Sequence, residues 1–146
     1  MDSSHKVLLL GASGSIGSQT IDIINEAMDK FTLTAFSVGK NWQKAQEILR
    51  NFPSVKHVYI TSDKKAKELK KEFPNVKFYS GKKGLAKLTK AADYTMCVDA
   101  LVGFAGMEPA IIALKKDKIL CLANKEALVT GGHIINLILR SGKGKL

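Results

Sequence analysis

The fold class predicted is α/β, a doubly wound, mainly parallel sheet with helices on both faces, and three observations predict it. Short apolar runs at residues 7–10, 94–98 and 119–122 suit strands buried on both faces, as parallel strands are. The segments between them carry apolar residues at helical spacing. The two kinds of segment alternate along all 146 residues, which leaves little room for an all-helical or all-strand architecture.

The opening stretch, VLLLGASGSIGSQTIDIIN at residues 7–25, sets the reading of the rest. A four-residue apolar strand runs into Gly11, Gly14 and Gly17, three apart. Ile16, Thr20, Ile23, Ile24 and Ala27 then fall on one helical face. Strand, glycine turn and helix together make a Rossmann-like dinucleotide-binding turn, in which backbone N–H groups approach a pyrophosphate. Ser13 and Ser15 add hydroxyl donors, and no acid precedes Asp22 to repel a phosphate. The spacing is GxxGxxG rather than GxGxxG, so a plain tight turn is the competing reading.

Residues 31–38 (FTLTAFSV) alternate and are rich in β-formers, which predicts the second strand. Gly39, Lys40 and Asn41 follow, where NAD-preferring domains carry an acid for the ribose 2′-hydroxyl. A lysine there suits a 2′-phosphate and points to NADP; a solvated lysine at a helix entry is the alternative. Trp42, Ala45, Leu49 and Phe52 recur at helical spacing before Pro53, and Trp42 reads as a packing residue. Residues 55–60 form a third strand, and Ser62 caps a helix with Ala66, Leu69 and Phe73 inward. A short strand at 76–79 and a short helix at 84–92 follow, with Leu85 and Leu88 inward. Tyr79 and Lys83 match a Tyr-x-x-x-Lys spacing, but Gly81 interrupts the helical turn that would join them.

After the strand at 94–98, Gly103 and Gly106 open a turn and Pro109 stands in the first turn of a helix. The strand at 119–122 leads into Ala123, Asn124, Lys125 and Glu126, a polar cluster at a strand's carboxyl end, where open α/β sheets bind ligands. Lys125 could hold an anionic substrate, and Asn124 and Glu126 could bond ribose or amide groups. Asn124 as a simple helix cap is the alternative. Ile134, Ile135, Ile138 and Leu139 form a last apolar helix face, and residues 141–146 a basic tail.

The composition, 45% hydrophobic and 25% charged, is that of a globular domain. No apolar run approaches the roughly 20 residues that span a bilayer, and residues 1–6 are too short and polar for a signal peptide, so a cytoplasmic location is expected. The net charge of +10 raises nucleic acid as a partner, but the lysines are scattered and only Arg50 and Arg140 are arginines, so none is expected. Cys97 and Cys121 each sit in an apolar run and are expected to be buried, reduced thiols without metal-ligand spacing.

Three blocks taken together resemble the 1-deoxy-D-xylulose 5-phosphate reductoisomerase family: LLLGASGSIGSQTIDII, the Gly39-Lys40-Asn41 turn, and VDALVGFAGMEPAIIALKKDKILCLANKEALVTGG. The resemblance implies NADPH contacts at Ser13, Gly14, Ser15 and Ile16, a 2′-phosphate side at Gly39, Lys40 and Asn41, and further cofactor contacts at Asn124 and Glu126. It implies a substrate contact at Lys125. Ser13 stands where the family commonly has threonine, and Ala127 where it commonly has serine. The family rearranges a phosphorylated sugar on Mg²⁺ or Mn²⁺ and reduces the product with NADPH. No Asp or Glu follows Glu126, so no catalytic or metal residue is expected in this chain. The expectation is that residues 1–146 are an NADPH-binding domain, inactive alone, of a longer and homodimeric enzyme. A different NADP-dependent dehydrogenase domain and a non-catalytic basic module are the rival readings.

Overall fold

The computed structural model describes residues 4–123, 144 and 145. Six strands, β1 (His5–Leu10), β2 (Phe31–Ser37), β3 (His57–Tyr59), β4 (Lys77–Tyr79), β5 (Met96–Asp99) and β6 (Ile119–Leu122), form one sheet in the order β4-β3-β2-β1-β5-β6. Every pairing is parallel, so all the carboxyl ends lie along one edge. Val7, Leu8, Leu9 and Leu10 are at most 1% exposed, which explains why the central strand reads as a continuous apolar run.

Among the described residues five α-helices cover the sheet: α1 (Ser15–Glu26), α2 (Trp42–Asn51), α3 (Asp63–Glu72), α4 (Gly84–Ala91) and α5 (Met107–Lys115). Side chains alternate across the strands and sort the core into two layers. Val7, Leu9, Leu33 and Val58 face Ile21, Ile24, Ile48 and Leu69 of α1 to α3. Leu8, Leu10, Cys97 and Leu120 face Leu88, Ala113 and Leu114 of α4 and α5. On that second face Lys116 Nζ donates to the Thr89 and Lys90 carbonyls (3.1 and 2.9 Å), capping the end of α4 from the end of α5. The predicted doubly wound, parallel α/β sheet is therefore observed.

Several local expectations need correcting. The inward face of α1 is Gly17, Ile21 and Ile24, whereas Ile16 and Ile23 are 47% and 56% exposed. Residues 55, 56 and 60 flank β3 rather than belong to it. Cys97 is buried as expected, but Cys121 is exposed, because β6 is the last named strand on its side of the sheet. Beyond β6 the ladder is extended by one parallel bridge, Ile119 to Lys145, with Leu120 N donating to the Lys145 carbonyl at 2.6 Å. As expected, Tyr79 and Lys83 do not share a helix: Tyr79 ends β4 and its hydroxyl bonds His57 Nδ1 at 2.9 Å. The apolar face at 134–139 lies outside the described residues.

Candidate functional site

Strand order reverses at β1. The chain leaves β1 toward β2, β3 and β4, then crosses to β5 on the other side. At such a point the loops after the two flanking strands part and open a crevice at the carboxyl edge. The loops concerned are residues 11–14 after β1 and residues 100–106 after β5.

The first loop is shaped by its glycines. Gly11 has φ +84°, a conformation that favours glycine, and a Cβ there would lie 3.0 Å from the Ala100 carbonyl oxygen. A Cβ on Gly17 would run into the Gly11 carbonyl oxygen and stand 2.8 Å from Ala12 Cα, so α1 presses directly on the turn. Gly14 differs: its nearest neighbour would be 3.7 Å away, so nothing within the chain demands a glycine there. Gly14 is the N-cap of α1, with no side-chain cap and no acid in the first turn. Among the described residues the N–H groups of Ser15 and Ile16 meet no acceptor. Gly14, Ser15 and Ile16 are exposed and Ser13 is half-buried. An open helix N-terminus with space over its cap is an anion-binding arrangement.

The turn is held from below by Ser37, the last residue of β2 and 1% exposed. Its Oγ accepts from Gly11 N at 2.9 Å and its carbonyl accepts from Ala12 N at 2.8 Å. Sequence reasoning passed over this residue; a small hydroxyl at the buried end of a strand is the signal that could have found it.

Residues 39–41 emerge beside this turn from the same strand, and all three are exposed. The Gly39 carbonyl accepts from Thr61 N at 3.1 Å, so the loop after β3 backs the turn. Asn41 has φ −83° and ψ 72°, an inverse γ-turn closed by Trp42 N donating to the Lys40 carbonyl at 2.9 Å. Asn41 Oδ1 accepts from Lys44 N at 3.1 Å and caps α2, which leaves the amide NH₂ as its donor end. Among the described residues no carboxylate pairs with Lys40.

The second loop carries Asp99, which sequence reading did not single out. It ends β5 beside Leu10 and is 0% exposed. Oδ1 accepts from Leu101 N at 3.3 Å, while Oδ2 has no partner among the described residues. A 3₁₀ turn at Gly103–Gly106 lies over it, and a Cβ on Gly106 would come 2.7 Å from Oδ1. Burial, only partly offset by the Leu101 N–H, pushes its pKa up to about 7. Val102 and Phe104 of the same loop are 85% and 68% exposed.

Asn124, Lys125 and Glu126 lie outside the described residues, although Ala123 N, just before them, donates to the Asp99 carbonyl at 3.0 Å. Among the described residues no group of three or more His, Cys, Asp and Glu side chains could hold a metal ion, and no helix is long and apolar enough to cross a membrane. A cleft of about 380 Å³ lies elsewhere, between α3 and β4. Two of its three lysines are engaged, Lys67 with Asp63 at 3.2 Å and Lys70 with the Pro74 and Val76 carbonyls, and it has no glycine turn. The open turn after β1 remains the better candidate, since a dinucleotide lies along an edge rather than in a closed pocket.

A family model described as 1-deoxy-D-xylulose 5-phosphate reductoisomerase matches residues 7–132. A relative of that name from Listeria monocytogenes serotype 4a is 40% identical over 141 residues, covering 96% of this chain and 36% of that protein. Another, from Listeria welshimeri, is 42% identical over 131 residues, covering 89% and 34%. Among solved structures, the reductoisomerase from Zymomonas mobilis in complex with NADPH matches 99% of this chain and 38% of that one, at 26% identity and a TM-score of 0.87. A DOX-P reductoisomerase in complex with magnesium, 23% identical with a TM-score of 0.88, repeats the fold. The chain thus spans about a third of the length of the relatives it matches.

Proposed function

This chain belongs to the 1-deoxy-D-xylulose 5-phosphate reductoisomerase family, and on that premise we propose that residues 1–146 are its NADPH-binding domain. The observation that carries the reading is the uncapped start of α1, exposed at Gly14, Ser15 and Ile16 and set at the strand-order reversal. Ser13, Gly14, Ser15 and Ile16 take the pyrophosphate through backbone N–H groups and serine hydroxyls. Gly39, Lys40 and Asn41 take the 2′-phosphate: Lys40 supplies charge and Asn41 its amide donors. Asn124 and Glu126 contact the cofactor farther along and Lys125 the substrate; these three assignments rest on the family resemblance.

When bound, NADPH supplies the hydride for the family's reduction. In the longer enzyme that step follows rearrangement of 1-deoxy-D-xylulose 5-phosphate and yields 2-C-methyl-D-erythritol 4-phosphate. The described residues do not fit a divalent cation, and no step is assigned to one here. The reading takes the longer enzyme to be a cytoplasmic homodimer acting on a phosphorylated sugar, with no nucleic acid as partner.

Fluorescence titration of the chain with NADPH and NADH tests the cofactor assignment. Wild type is expected to bind NADPH at least about tenfold more tightly, and Lys40→Glu to remove most of that preference. Equal affinity for the two cofactors in wild type would overturn it. With substrate and Mg²⁺ present, no NADPH oxidation by this chain is expected.

A further inference from the structure

We propose that Lys65 is a second cation of the 2′-phosphate subsite, and that Trp42 is the positioning residue that seats it there. The proposal rests on the reading of residues 39–41 given above, and it adds a specificity determinant from a different helix.

The geometry begins at α2. Trp42 is its first residue, half-buried, with its indole packed against the core layer of α1 to α3. Its backbone N–H donates to the Lys40 carbonyl, so the residue follows directly on the exposed 39–41 turn. The loop after β3 reaches the same place, because Thr61 N donates to the Gly39 carbonyl. One residue on, Ser62 caps α3, its Oγ accepting from Lys65 N at 3.2 Å. That cap fixes Lys65 in the first turn of α3, on the side facing α2. Its Nζ lies 4.6 Å from the centroid of the Trp42 ring.

Two consequences follow. The ammonium lies over the indole ring, so Trp42 is a seat for a cation rather than a platform for a base. The side chain of Lys65 is 34% exposed and held on two sides, by the ring and by Glu68 Oε2 at 3.1 Å. Less side-chain entropy is therefore lost when it meets a ligand than for a free surface lysine. Glu68 is half-exposed at 49% and is the weaker competitor: a phosphate dianion offers more charge and more acceptor oxygens than one solvated carboxylate. In this proposal Lys40 meets the extra phosphate from the 39–41 turn and Lys65 from the first turn of α3, where its ammonium lies over the indole.

The test is titration of the 146-residue chain with NADPH and NADH. Lys65→Met keeps the apolar stem on the indole and removes the charge. It is expected to weaken NADPH about five- to tenfold and leave NADH within twofold. Trp42→Leu is expected to reproduce much of that loss, and Trp42→Phe, which retains a ring, to restore most of it, with thermal melts confirming that each variant is folded. If wild type shows no preference for NADPH, the 2′-phosphate reading itself fails. If wild type prefers NADPH and Lys40→Ala reduces the preference while Lys65→Met leaves it unchanged, Lys65 is excluded and Lys40 stands. If Lys65→Met weakens NADPH and NADH equally, its role is structural and the proposal is overturned.

Discussion

Asp99→Asn should stabilise this chain, and more so as pH rises. Asp99 is wholly buried, its carboxylate accepts from Leu101 N at 3.3 Å, and Oδ2 has no donor among the described residues. Desolvation raises its carboxyl from 3.8 to about 7. The sign follows from proton counting: with the folded-state pKa above the unfolded one, the folded state holds its proton more tightly. The stability this confers is complete below about pH 4, is lost as pH rises toward 7, and stays lost above. A shift of that size corresponds to up to about 4 kcal/mol in all, at 1.36 kcal/mol per pH unit. Between pH 5 and pH 8 the share lost is about 2.5 kcal/mol. Asparagine keeps the acceptor for Leu101 N and cannot ionise, so the variant lacks this slope. Urea unfolding of both proteins across pH 5–8 should show their stabilities diverging by roughly 2–3 kcal/mol, or roughly 5–10 °C in thermal midpoint. A constant gap over that range would mean Asp99 does not titrate there. A variant less stable than wild type at pH 8 would mean the carboxylate has a partner and the reasoning is wrong.

Three further outcomes follow from the same structure. Gly17→Ala drives a methyl group into the backbone of Gly11 and Ala12, which cannot move aside as a side-chain tip can, and should cost at least about 2–3 kcal/mol in chemical unfolding. Gly14→Ala meets nothing closer than 3.7 Å and should leave the thermal midpoint within about 2 °C while weakening NADPH in titration. In a thiol-reagent assay one cysteine per folded chain, Cys121, should react, and the second, Cys97, only in denaturant: Cys97 is wholly buried, and burial pushes its thiol well above the usual range.

The strand, glycine turn and helix at residues 7–25 were legible because their causes are local. A strand buried on both faces must be apolar throughout, and a chain that reverses into a helix at once needs glycine. The 39–41 turn was legible for the same reason. Ser37 and Asp99 were not, because what defines them is distant in sequence: Ser37 bonds a turn 26 residues earlier, and Asp99 is sealed by a 3₁₀ turn folded back over it. An acid between an apolar strand and a loop reads as the start of the loop unless the covering glycine is known. Cys121 shows the limit of periodicity, since an apolar run at the edge of a sheet looks like one at its centre. The face of α1 could have been read correctly. Gly17 must point at the turn it presses on, and counting four and seven residues onward from it gives Ile21 and Ile24, the two that are buried. Counting from Ile16 instead follows hydrophobicity and selects a face that is half in water. Where a glycine is required for close approach, it marks the inward side of a helix more reliably than the isoleucines around it.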